Sequence, residues 1–117
     1  MNKKLLQEIK NAYADCWMTN SVRAHKTRKL DFRASSSVSR DEAFAIMKEV
    51  LRGHGYNAFN HSLIMNFPED AKIFIAREGS VCLYIQANFP TSMERVLADE
   101  MDTVTIDGVE WERYWWD

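Results

Sequence analysis

Glycine and proline are scarce, with four Gly and two Pro in 117 residues. That excludes collagen-like repeats, Pro-rich linkers and low-complexity tracts. Cysteine is equally sparse: Cys16 and Cys82 are too few for a disulfide framework. Each lies in an apolar run, Ala14-Asp15-Cys16-Trp17 and Val81-Cys82-Leu83, where a free thiol packs as a small hydrophobe. No apolar stretch approaches the ~20 residues of a membrane span. Asn2-Lys3-Lys4-Leu5-Leu6 runs straight into Gln7-Glu8 instead of into a signal-peptide core. The expectation is a reduced, cytoplasmic protein with no membrane partner.

Motifs of chemistry are missing as well. There is no His-Glu-x-x-His or Cys-x-x-Cys spacing to hold a metal. Ser35-Ser36-Ser37 lacks the Gly-x-Ser-x-Gly elbow of a nucleophilic serine. Gly53-His54-Gly55 follows a helical pattern, whereas phosphate loops follow a strand and open a helix. The sequence therefore predicts a non-enzymatic protein with no catalytic residues, no cofactor and no metal ligands. A third alternative is a small metal-free nuclease using His54 or His61 as acid and base.

What is present is enough for one core. At this length about two-thirds of the unfolded chain's surface is buried on folding, which supports a single domain over 1–117 and not a second one. Aromatics make up 12% and hydrophobic residues 46%, which excludes intrinsic disorder.

The apolar pattern sets the fold class. Leu5, Leu6, Ile9, Tyr13, Cys16 and Trp17 recur at three- and four-residue steps, predicting an amphipathic helix that ends at Thr19-Asn20-Ser21. Leu30 to Ala34 alternates and predicts a short strand before a serine loop. Ser39-Arg40-Asp41-Glu42 is a capping box, opening a helix whose stripe is Phe44, Met47, Val50 and Leu51. From residue 56 the period shortens towards two. Strands are expected over Ser62 to Phe67, Lys72 to Arg77 and Val81 to Gln86, the last two joined through Glu78-Gly79-Ser80. Met93, Val96, Leu97 and Met101 suggest a short third helix. Asp107-Gly108, between Thr103–Ile106 and Val109–Tyr114, is a strong hairpin signal. The expectation is an α+β fold, with two or three helices packed on one face of a mostly antiparallel four- to five-stranded sheet.

Neither sign of charge dominates overall, the net being -2, but the halves differ. Residues 21–40 carry Arg23, Lys26, Arg28, Lys29, Arg33 and Arg40 against Asp31, a balance of +5. Residues 91–117 carry Glu94, Asp99, Glu100, Asp102, Asp107, Glu110, Glu112 and Asp117 against Arg95 and Arg113, a balance of -6. Asymmetry of this kind bears on partners.

Two surfaces follow. The acidic third interleaves carboxylates with Trp111, Tyr114, Trp115 and Trp116, and strand parity puts Glu110 and Glu112 on one face with Val109, Trp111 and Arg113 on the other. Carboxylates steer basic partners, and tryptophans anchor interfaces. The predicted partner-binding residues are Glu100, Asp102, Asp107, Glu110, Glu112, Trp115 and Trp116. The predicted function is an inhibitor or antidote, of the immunity-protein or phage- and plasmid-encoded kind, that occupies the basic surface of a protein partner. A homodimer hiding Trp115 and Trp116 uses the same residues. The second surface is the basic segment Arg23, Lys26, Arg28, Lys29 and Arg33, with Phe32 to stack on a base, which would make the chain a nucleic-acid-binding regulator.

Overall fold

A computed structural model describes residues 1–16 and 30–117. Helix α1 spans Lys3–Ala12, capped by the Asn2 side chain, whose oxygen accepts the Lys4 and Leu5 amides at 3.0 and 3.1 Å. These amides have no partner within the helix, so the cap satisfies them. The helix buries Leu5, Ile9 and Ala12. It stops before the residue pattern does. Tyr13 leaves the helical region and anchors on the sheet, its hydroxyl donating to the Ala76 carbonyl, and a 3₁₀ turn over Ala14–Cys16 follows. The predicted continuation through Trp17 to Ser21 lies outside the described residues.

Strand β1 is Asp31–Arg33 and β2 is Val38–Ser39. Between them Glu8 holds the loop, its carboxylate accepting the Ser35 amide and hydroxyl at 2.8 and 2.9 Å. Helix α2, Arg40–Val50, begins where the capping box predicts: Ser39 Oγ accepts the Glu42 amide at 3.2 Å, and Asp41 and Glu42 occupy the first turn. Its buried face is Ala43, Ile46, Met47 and Val50.

The strand expected over Ser62 to Phe67 is instead a 3₁₀ helix, His61–Asn66. The Asn60 carboxamide accepts both the amide and the hydroxyl of Ser62, which starts a turn before a strand can extend. Ile64 is its only buried side chain, so no period-two face exists to hold a strand.

The hairpin expectations hold. Strand β3, Lys72–Glu78, pairs antiparallel with β4, Ser80–Gln86, around Gly79 at φ +74°. Helix α3, Met93–Val96, is one turn long and ends at Leu97 in the left-handed region. Met101, expected on that helix, lies in β5, Glu100–Ile106. Strand β5 pairs with β6, Val109–Trp115, across Asp107 (φ +51°) and Gly108 (φ +79°). Two positive φ values in a two-residue loop define the type I′ turn that matches strand twist.

Among the described residues the sheet has six strands, not four or five. Its order is β1-β3-β4-β6-β5, every pair is antiparallel, and β2 pairs with the start of β3 along the edge that β1 occupies further on. The α+β class stands. Ile73, Ile75, Val81, Leu83, Ile85 and Tyr114 share one core cluster with Leu5, Ile9, Ile46, Met47 and Val50. Among the described residues no helix is long and apolar enough to cross a membrane.

Candidate functional site

Because side chains alternate across a strand, the register that aims Ile73, Ile75 and Leu83 into the core aims their neighbours at the second face. Phe74 lies opposite Tyr84, Ala76 opposite Cys82, Tyr84 opposite Arg113, Cys82 opposite Trp115 and Asp102 opposite Arg113.

The centre of that face is a carboxylate clamp. Arg113 Nε lies 3.0 Å from both Glu78 oxygens, and its Nη2 lies 2.9 Å from Oε1. Tyr84 donates its hydroxyl to Glu78 Oε2 at 2.5 Å and Cys82 its thiol at 3.2 Å, while the Trp115 indole donates to the Glu78 carbonyl at 2.8 Å. Arg113 Nη1 then reaches Glu100 at 3.4 Å and Asp102 at 3.5 Å.

Protonation follows from the geometry. The Arg113 hydrogen bonds hold the Glu78 carboxyl down to about 2, with Tyr84 and Cys82 adding to the effect against burial. Burial, then the neighbouring Glu78 charge, raises the Cys82 thiol well above its ordinary value. Burial and the bond to Glu78 do the same to Tyr84. A thiol that stays protonated is no nucleophile at neutral pH, so the clamp fixes side chains instead of activating one.

Beside the clamp, at the hairpin tip, Lys72, Phe74, Gln86, Ile106, Val109 and Trp111 line a depression of about 280 Å³. Phe74 and Trp111 meet at 4.8 Å between ring centroids, and the Arg33 guanidinium lies 5.4 Å from the Phe74 ring. Val109 is 43% exposed, a large apolar side chain open at the rim. A second hollow, of about 460 Å³, has Arg40 and Arg95 on its walls, but Arg40 is held by the Phe67 carbonyl and Asp41.

The predicted partner-binding residues divide by strand parity. Glu100 and Asp102 lie on the second face and are tied to Arg113. Glu110 and Glu112 lie across β6 on the face of Tyr114, opposite Thr105 and Thr103, with Glu110 exposed and Glu112 half-buried. Asp107 is exposed at the turn. Trp115 is half-buried against the clamp. Trp116 corrects the expectation of an exposed anchor: it is 0% exposed. Its amide continues the β6 pairing to the Val81 carbonyl, which turns the indole into the core, where Nε1 donates to the Val96 carbonyl at 2.8 Å and the ring meets Phe59 edge-on at 4.9 Å.

Of the basic segment, Arg23, Lys26, Arg28 and Lys29 lie outside the described residues, and Arg33 sits at Phe74. Phe32 packs partly buried against the core, so its ring is not a free stacking platform. His61 lies 5.1 Å from the Phe44 ring, its pKa lowered by burial and then by Lys48, and His54 follows α2 on an exposed turn. Among the described residues no group of three His, Cys, Asp or Glu side chains could hold a metal ion.

Two features are not legible in the sequence. The clamp joins β3 to β6 across β4, so only the strand order reveals it. The other is Arg77, 1% exposed on the core side. It pairs with both Asp15 oxygens at 2.5 and 2.9 Å and donates to the Ala12 carbonyl at 2.9 Å and the Tyr56 hydroxyl at 2.8 Å. Its guanidinium also lies 5.1 and 5.5 Å from the Tyr13 and Tyr56 rings. A cation on the Ala12 carbonyl, the last of α1, suits the negative end of the helix dipole. Parity with Ile73 and Ile75 was the available signal.

Compared with known proteins, the chain matches no family model, no curated protein and no solved structure.

Proposed function

We propose that this chain is a non-enzymatic protein-binding module, of the inhibitor or antidote kind, that occupies a basic partner surface with its β5–β6 hairpin. On this reading α1 and α2 cover the core face, and the second face together with both sides of the β5–β6 hairpin, where Glu110 and Glu112 lie, is left to the partner. The observation that carries it is charge placed on shape. Residues 99–117 hold seven acids (Asp99, Glu100, Asp102, Asp107, Glu110, Glu112 and Asp117) against Arg113 alone. They form the margin of the sheet, and the apolar depression of Phe74, Ile106, Val109 and Trp111 opens at the hairpin tip. A negative field raises the encounter rate with a cationic partner, and a desolvated apolar contact holds it. The depression takes over the anchoring role that buried Trp116 does not fill.

The test is the Glu110→Lys, Glu112→Lys double variant, assayed by stopped-flow association with small basic nucleases at low and physiological salt. We expect association slowed about tenfold or more, in the range of steering effects, with a shallower salt dependence. An unchanged association rate refutes the assignment. Retention of nucleic acid by the intact chain at low salt, in place of protein, favours the basic segment instead.

A further inference from the structure

The hairpin has a property independent of its charge. Strand β5 is the last strand of the sheet and pairs only with β6 among the described residues. Its two-residue turn closes on the pair Ile106–Val109, which in a type I′ hairpin exchanges both hydrogen bonds. Alternation then makes Val104, Asp102 and Glu100 the inward-bonding positions, and directs the amides and carbonyls of Met101, Thr103 and Thr105 away from β6. These form a row of backbone groups with no strand partner among the described residues, along a seven-residue strand. Such a margin is a template for another strand.

We propose that the basic partner engages β5 by adding an extended strand to this margin; this rests on the function proposed above and specifies the mode of contact. The side chains facing the second face from β5 run Glu100, Asp102, Val104, Ile106. An antiparallel strand laid along them meets Ile106 and Val104 first and the two carboxylates last. The fitting segment alternates, with two apolar residues followed by two basic residues on one face. The same charges argue against a second copy of this chain as occupant. Two β5 strands paired antiparallel about Thr103 would set Asp102 of one copy diagonally beside Asp102 of the other and bring together two 99–117 segments that each carry seven acids against Arg113, and close like charges destabilise a strand pair. A strand carrying lysines instead bridges carboxylates that Arg113 reaches at only 3.4 and 3.5 Å.

The probe is a fluorescein-labelled peptide, Val-Thr-Val-Thr-Lys-Thr-Lys, titrated with the full chain in fluorescence anisotropy. Three comparisons read the mode. N-methylation of alternate peptide amides removes the donors a strand needs and leaves its charge intact. Thr103→Pro removes one outward donor of β5 without touching the β6 ladder, since edge strands tolerate proline. Replacing the peptide lysines with glutamate reverses its charge. We expect each change to weaken binding at least tenfold, with the circular dichroism of the Thr103→Pro chain unchanged; should that variant unfold, the N-methyl series alone decides. Equal binding of the N-methylated and parent peptides overturns strand addition while leaving the charge-based function standing. No binding of any peptide, with association to basic nucleases still slowed by Glu110→Lys, Glu112→Lys, likewise overturns only the strand mode. Insensitivity to charge in both experiments overturns both. Sedimentation of the free chain as a dimer that Thr103→Pro dissociates would replace the peptide with a second copy.

Discussion

Replacing Glu78 with Gln removes one negative charge from the clamp and changes little else in shape. The folded-state carboxyl titrates at about 2 against an ordinary 4.5, a difference that would correspond to about 3 kcal/mol at about 1.4 kcal/mol per unit. The side chain is 29% exposed, and solvent screening of a partly open ion pair reduces this to about 1–2 kcal/mol. The sign follows from the direction of the shift. A carboxyl depressed by folding stabilises the protein fully above its unfolded value of 4.5, and the contribution disappears as pH falls through 2. Urea unfolding followed by tryptophan fluorescence, at steps from pH 7 to pH 2, should show Glu78→Gln less stable than the parent by about 1–2 kcal/mol at neutral pH. That gap should close between pH 4.5 and 2. Because both chains share every other carboxylate, the difference between the two curves isolates Glu78. Parallel curves across the whole range would refute the reasoning. Tyr84→Phe offers an internal check. It removes one donor to Glu78, so the closing of the gap in a Tyr84→Phe background should move to higher pH.

Two further outcomes follow from burial. Trp116→Ala should cost about 3–5 kcal/mol, the range for large aromatic truncations in a core, whereas Trp115→Ala should cost clearly less; urea midpoints compare them, and equal costs would contradict the placement of Trp116. The Cys82 thiol should resist iodoacetamide in the folded protein at pH 8 and react only at the rate of unfolding. Peptide mapping by mass spectrometry would read this at Cys82 alone, and rapid native alkylation would contradict both its burial and its raised pKa.

Local signals in the sequence carried the parts of this fold whose causes are local. Ser39 caps α2 because its oxygen needs only the amide three residues on, and Asp107-Gly108 turns because both positions tolerate positive φ. Parity carried the division of β6 into a Trp111–Arg113 face and a Glu110–Glu112 face. Failures occurred where a distant or competing partner decides. Asn60 diverts 61–66 into a 3₁₀ helix through one carboxamide, overriding a string of apolar residues that resembles a strand. Strand β2 is two residues long and forms only because β3 offers it an edge. The Glu78–Arg113 pair spans 35 positions and depends on β4 lying between β3 and β6, which no periodicity encodes. Three tryptophans near a chain end exceed what a small core readily holds, which predicts an exposed Trp116. The core takes Trp116 by giving its indole nitrogen the Val96 carbonyl, and Trp111 is buried on the other face of the sheet against Phe74.

The two margins of the sheet are unequal. On one side the strand is broken into three and two residues, with the intervening serine loop tied down by Glu8; on the other β5 runs uninterrupted for seven. A sheet with a single continuous margin accepts one strand and offers the next no comparable start. Under the proposed strand addition, pairing at β5 would therefore leave this chain no second continuous margin among the described residues, so docking by backbone hydrogen bonds would not make it a link in a fibre.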